Sequence, residues 1–191
     1  MIYIDDNISG FDLTAALAAV SAQRRSYAMR YVHQLDQRLS VASFLLLKRA
    51  LSLEFGVDLM PTFGYEANGK PRLEGFPDIH FNLSHCREAV ACAVDNSPVG
   101  IDVECIDKLD GEVVAMTMNG QEQERIAASP QPELEFTRLW TMKESLYKLT
   151  GSYQGDIRSM LDNAVGYHFL TTIYPRYICT VCTPNYKLTK N

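Results

Sequence analysis

Two short stretches of the chain carry charged side chains at spacings that could converge on one ligand. In Val99-Gly100-Ile101-Asp102-Val103-Glu104, apolar and polar positions alternate. A strand there puts Val99, Ile101 and Val103 on one face, and Gly100, Asp102 and Glu104 on the other. At ~3.4 Å per residue the two acidic Cα atoms stand about 7 Å apart. Side chains of unequal length can meet from there on one cation. A hard divalent ion such as Mg²⁺ is held by one or two carboxylates together with substrate phosphates. Gly100 beside them would let a ligand approach the backbone. The alternative is a half-exposed strand whose outer face happens to be acidic. The second stretch, Leu139-Trp140-Thr141-Met142-Lys143-Glu144-Ser145-Leu146-Tyr147-Lys148, reads as a helix with an apolar stripe through Phe136, Leu139, Trp140 and Tyr147. Glu144 and Lys148 lie four apart and share a face. They are either an exposed ion pair worth ~0.3–0.5 kcal/mol or a third carboxylate and a cation aimed at a common site. Trp140, the single tryptophan, reads as a core anchor.

The elements that must hold these groups follow from patterning. A short strand at Ile2-Tyr3-Ile4 precedes an Ala-rich helix over Leu13 to Val20. A helical segment from Ala22 to His33 carries Arg24, Arg25 and Arg30. A long helix over Asp36 to Phe55 has Leu39, Phe44, Leu47 and Leu51 at three- and four-residue steps, with Gly56 at its stop. After Pro61 the texture becomes strand-like, with Asn68-Gly69 as a tight turn. The runs Ile79 to Leu83, Ala89 to Val94 and Val99 to Glu104 follow, the last two predicted as a hairpin across Asn96-Ser97-Pro98. A mixed stretch leads to Pro130 and Pro132, a helix over Leu134 to Leu149 stopped by Gly151, and two strands between Ala164 and Cys182 turning at Pro175. Helices beside antiparallel strands, without a βαβ rhythm, predict an α+β fold.

Composition narrows the chemistry. The 191 residues hold 18 Lys plus Arg against 23 Asp plus Glu, a formal charge of −5. An acidic chain without a basic stripe is poorly suited to nucleic acid, so a phosphate ligand would need a few placed cations or a metal. No apolar stretch approaches the ~20 residues of a membrane span, and the start of the chain is acidic rather than a basic leader. The expectation is a cytoplasmic protein with five reduced cysteines. Cys179-Thr180-Val181-Cys182 has C-x-x-C spacing, but on a strand its thiols point to opposite faces. The Arg24-Arg25-Arg30 cluster is either a solvated helix face or a phosphate contact.

Three segments in order, Phe81-Asn82-Leu83-Ser84-His85, then Val99 to Glu104, then Trp140-Thr141-Met142-Lys143-Glu144-Ser145-Leu146-Tyr147-Lys148, resemble the motifs of the 4'-phosphopantetheinyl transferases of the surfactin-synthetase type. The resemblance covers roughly residues 20 to 150. It implies two similar α+β halves, about 1–97 and 98–191, related by a pseudo-twofold axis with the active site in the cleft between them. It implies transfer of the phosphopantetheine arm of coenzyme A to a serine of an apo acyl or peptidyl carrier protein, releasing adenosine 3',5'-bisphosphate. Carried over, Asp102, Glu104 and Glu144 are metal ligands for Mg²⁺, with Mn²⁺ as a substitute. Glu144 is also the base toward the serine, directly or through a water, and Lys148 stabilises a phosphate oxygen. Arg24, Arg38, Lys70, Ser84, His85 and Lys143 are contacts to coenzyme A. Glu122 matches a glutamate near the metal, although the aromatic usual before it is here Met118. The resemblance also implies a monomer, with no nucleic-acid or membrane partner. A non-catalytic carrier-binding module of the same fold, or a Mg²⁺-dependent nucleotide phosphohydrolase, would use some of the same residues.

Overall fold

A computed structural model describes residues 1–153 and 155–185. The fold is α+β, in two compact units of residues 1–97 and 98–191. The first unit begins with β1 (Ile2–Asp5) and the short helices α1 (Leu13–Ala18) and α2 (Ala22–Ala28). Asp12 and Ser21 start those helices by accepting the Ala15 and Arg24 amides. Then come α3 (Gln34–Phe55), the small hairpin β2 (Phe63–Tyr65) and β3 (Pro71–Leu73), β4 (His80–His85) and β5 (Val90–Asp95). The sheet order is β1-β5-β4, all antiparallel, with Leu83 facing Cys92 and Tyr3 facing the same cysteine from the other side. The apolar steps of α3 bury Leu39, Leu46, Leu47, Ala50 and Leu51 against Phe81, Val90, Cys92 and Val94. Gly56 ends α3 in the left-handed region at φ 64°, where glycine alone is unstrained.

The second unit contains β6 (Gly100–Cys105), α4 (Gly111–Thr117), α5 (Gly120–Ala128), α6 (Pro132–Thr150), a 3₁₀ turn at Ile157–Ser159, β7 (Tyr167–Ile173) and β8 (Tyr177–Pro184). Its antiparallel sheet runs β6-β8-β7, with Asp102 opposite Thr180 and Thr180 opposite Thr171. Pro132 opens α6, where its missing N–H is harmless. Gly151 closes it at φ 71°. The stretch between Asp107 and Ser129, indistinct in the sequence, folds as α4 and α5. Asn119 and Glu122 form a reciprocal capping box at the start of α5. Among the described residues, no helix is long and apolar enough to cross a membrane.

Two expectations are corrected. Strands β5 and β6 do not form a hairpin: β5 pairs with β1 and β4, and β6 with β8. The Asn96-Ser97-Pro98 turn signal marks the junction of the two units, with Ser97 donating its amide to Asp95. Gly100 also leaves room for something other than a ligand. A Cβ built there overlaps the Ser145 carbonyl oxygen and stands 2.7 Å from the Leu149 amide nitrogen. The backbone of α6 therefore fills the space. Replacing Gly100 with Ala should destabilise the protein by roughly 3 kcal/mol or more, because backbone rather than a movable side chain must give way. An unfolding midpoint in urea equal to that of the wild type would refute this packing argument.

Candidate active site

Helix α6 lies along the same face of β6 that carries the acidic residues. Gly100 sits under Ser145 and Leu149. Two residues on, Asp102 Oδ1 accepts from Lys148 Nζ at 2.6 Å. Two further on, Glu104 comes under the influence of the Trp140 indole. From Gly100 to Glu104 the strand rises about 14 Å. From Leu149 back to Trp140 the helix also covers about 14 Å. Strand and helix thus run antiparallel in step, which sets the every-second-residue pattern of the strand beside Trp140, Glu144 and Lys148, four apart on the helix. A neighbouring chain of hydroxyls, Thr141 to Thr180 at 2.8 Å and Thr180 to Thr171 at 2.9 Å, ties α6 to β8 and β7.

Asp102 is 2% exposed, while Glu104, Glu144 and Lys148 are half-buried. The electrostatics are those of an acidic set short of positive charge. Glu104 is pushed up to about 7, first by burial and next by Asp102; the Trp140 indole and Lys148 oppose this, and Glu144 adds to it. Burial, then Asp102, also raises Glu144, against Lys148 and a hydrogen bond from Tyr153. Among the described residues no group of three or more acidic, histidine or cysteine side chains is already arranged to hold a metal ion. Lys148 occupies one oxygen of Asp102. The donor set is nonetheless all oxygen and anionic, which suits Mg²⁺.

In the first unit, Arg24 is turned inward from α2. It donates to the Ser40 carbonyl and, at 2.7 Å, to the Ser40 hydroxyl. It also lies over the Tyr27 and Phe44 rings, 4.8 and 5.0 Å from their centroids. Burial lowers its pKa. Arg25 and Arg30 stay exposed, so the cluster is split between packing and solvent. Arg38 is half-buried on α3, with Nε buried and unbonded. Lys70 is half-buried in the β2–β3 turn, its pKa lowered by burial. Ser84 is buried and His85 exposed at the end of β4. The Cys179 and Cys182 thiols are buried and pushed up to about 12.

Residues 98–185 match the family model described as the 4'-phosphopantetheinyl transferase superfamily, and residues 8–97 match that of the 4'-phosphopantetheinyl transferase N-terminal region. A 4'-phosphopantetheinyl transferase of Bacillus subtilis is 32% identical over 153 residues, covering 78% of this chain and 68% of that protein. The chain belongs to the 4'-phosphopantetheinyl transferase superfamily. Psf-1 of Bacillus pumilus is 32% identical over 151 residues, 78% of this chain and 65% of its own. The transferase Sfp of Bacillus subtilis strain 168 is 28% identical over 197 residues, 98% of this chain and 88% of its own.

Within this phosphopantetheinyl transferase fold, two of the expected site residues stand apart from Asp102, Glu104 and Glu144. Lys143 was expected at coenzyme A and is 0% exposed. Its ammonium donates to Glu122 Oε2 at 2.7 Å, to the Thr117 carbonyl at 2.8 Å and to the Ile157 carbonyl at 3.0 Å. Glu122, expected near the metal, is buried; the same Oε2 also accepts the Asn119 amide in the capping box. Their helix positions account for this. Lys143 precedes Glu144 by one residue, a rotation of about 100°, which carries it to the face that packs on α5 and reaches the end of α4. Trp140 is more than a core anchor, since its indole also acts on the acidity of Glu104; Tyr153 was missed because it follows the helix stop. The signal for it was its distance of only five residues from Lys148.

Two outcomes follow. Lys143→Met keeps the bulk but strands the Glu122 carboxylate, and should cost about 3–5 kcal/mol of unfolding free energy. Adding Glu122→Gln should recover part of that loss; a single mutant as stable as wild type would show that the pair carries no weight. For pH, a folded-state pKa above the unfolded value of about 4.3 gives Glu104 a stabilising contribution that is complete below that value. The contribution is lost as pH rises through about 7. In a chelator, wild type should therefore lose about 2 kcal/mol across that window after allowance for screening, and Glu104→Gln should lose less. Parallel stability curves for the two proteins between pH 4.5 and 8 would contradict this.

Proposed function

We propose that this protein is itself a 4'-phosphopantetheinyl transferase that moves the phosphopantetheine arm of coenzyme A to a serine of an apo acyl or peptidyl carrier protein. The observation that carries the reading is the meeting of strand β6 and helix α6, with Lys148 on Asp102 and the Glu104 and Glu144 carboxylates in the same electrostatic field. That combination suits a reaction in which a diphosphate must be held and charge builds on one of its phosphates.

In the proposed reaction the serine Oγ attacks the phosphorus that bears the pantetheine arm. A bond forms between Oγ and that phosphorus, and the bond to adenosine 3',5'-bisphosphate breaks. Glu144 accepts the serine proton, directly or through one water. Lys148, once released from Asp102, supports the phosphate that gains charge. Asp102, Glu104 and Glu144 would hold a Mg²⁺, which would supply Lewis-acid neutralisation of the diphosphate. Arg38, Lys70, Ser84 and His85 are proposed contacts to coenzyme A. For Arg38 the support is a guanidinium Nε with no protein acceptor. Arg24 is proposed as a weaker contact, because Ser40 already takes part of its fork.

The test is incubation with coenzyme A, Mg²⁺ and several apo carrier proteins, followed by intact-protein mass measurement. A carrier gain of one phosphopantetheine arm is expected. Cleavage of coenzyme A without carrier modification would mark a hydrolase, and carrier binding alone a non-catalytic module. In the active protein, Lys148→Ala should lower kcat by roughly 10²-fold, as for loss of one electrostatic stabiliser, while affinity for coenzyme A changes far less. Loss of binding in proportion to rate would make Lys148 a binding residue instead.

A further inference from the structure

Beyond the stop of α6 the chain folds back. Gly151 takes the left-handed conformation. The Thr150 hydroxyl then donates to the Ser152 carbonyl at 2.9 Å and accepts the Ser152 amide at 3.4 Å. This local clasp sets the direction of Tyr153, whose ring stacks on Tyr147 with centroids 4.2 Å apart and planes 15° from parallel. Tyr147 lies three residues after Glu144, on the same stretch of helix surface. Stacked there, Tyr153 brings its hydroxyl to Glu144 Oε1 at 3.5 Å. The phenol is 37% exposed, so it stands at the rim of the site rather than in the core.

We infer that Tyr153 is a positioning residue that fixes the Glu144 carboxylate through its hydroxyl, with Tyr147 as the platform that holds the phenol in place. This rests on the transfer reaction proposed above. The terminal torsion of a glutamate is broad and nearly two-fold, so a carboxylate on a helix surface is not aimed by its backbone alone. A donor on Oε1 narrows that torsion and leaves the other oxygen for the serine proton. The present separation is at the long end for a hydrogen bond, as catalytic contacts often are before substrate binds. The stack needs only an aromatic ring, whereas the contact to Glu144 needs the hydroxyl. The two contributions are therefore separable by substitution.

Tyr153→Phe keeps the ring and its stacking, and should reduce kcat about tenfold with KM for coenzyme A and carrier within twofold, the pattern of a misaimed catalytic group. Tyr153→Ala, which also loses the platform contact, should fall further. A kcat for Tyr153→Phe equal to wild type would overturn the inference, because a purely structural tyrosine tolerates that change. The contact itself has a readout independent of turnover. With ¹³Cζ-labelled tyrosine, the signal absent from Tyr153→Phe identifies Tyr153, and Glu144→Gln should move that signal more than those of distant tyrosines. An unmoved signal would also overturn the inference. Wild-type protein that transfers nothing to any carrier would refute the transfer reading, and the kinetic role with it. That failure is distinguishable from a transferring enzyme whose Tyr153→Phe variant is unimpaired.

Discussion

The close approach of the α6 backbone to β6 at Gly100 governs the geometry of the charged groups in the second unit. A side chain at that position would push Ser145 and Leu149 away. Lys148 and Trp140, on the same helix, would then withdraw from Asp102 and Glu104. The contact also explains why the acidic face of the strand is not a solvated surface. Once the helix covers it, Asp102 is almost wholly out of water and Glu104 half so. Desolvation is accordingly the largest influence on Glu104 and on Glu144. A single packing requirement thus creates both the juxtaposition of the groups and their altered acidity.

Lys143 extends the same logic to the far side of the helix. Its ammonium links Glu122 in α5, the Thr117 carbonyl at the end of α4 and the Ile157 carbonyl in the 3₁₀ turn. Such a buried charge is tolerable only because these acceptors replace its hydration. With Gly100 on one side and Lys143 on the other, α6 is gripped along two faces. Glu144 and Lys148 project from a helix whose rotation and translation are both fixed. The rigidity comes from neighbours of the site residues in sequence, which explains how one tight motif can hold structural and candidate chemical groups side by side.

Much of this was legible in the sequence, for identifiable reasons. The strand period at 99–104 and the stripe of α6 each follow from local backbone geometry, and the shared face of Glu144 and Lys148 follows from the helix alone. The antiparallel partners of β5 and β6 did not, because pairing is a nonlocal choice and Asn96-Ser97-Pro98 has the composition of a hairpin turn whether or not the flanking strands pair. Gly100 was misread for a related reason: absence of a side chain signals close approach, but not by what. Lys143 lies apart from the acidic residues because motif spacing groups residues by sequence, whereas one step along a helix changes the face. Arg24 looked like part of a basic surface, yet Ser40 and two aromatic rings draw it inward.

The charge balance of the second unit bears on why Lys148 pairs with Asp102. Three carboxylates influence one another here, and Lys148 is the cation that acts on both Glu104 and Glu144. Without the Lys148 charge, the repulsion from Asp102 would push Glu104 and Glu144 up further. The Lys148 pairing therefore keeps a cation beside a carboxylate that is almost wholly out of water.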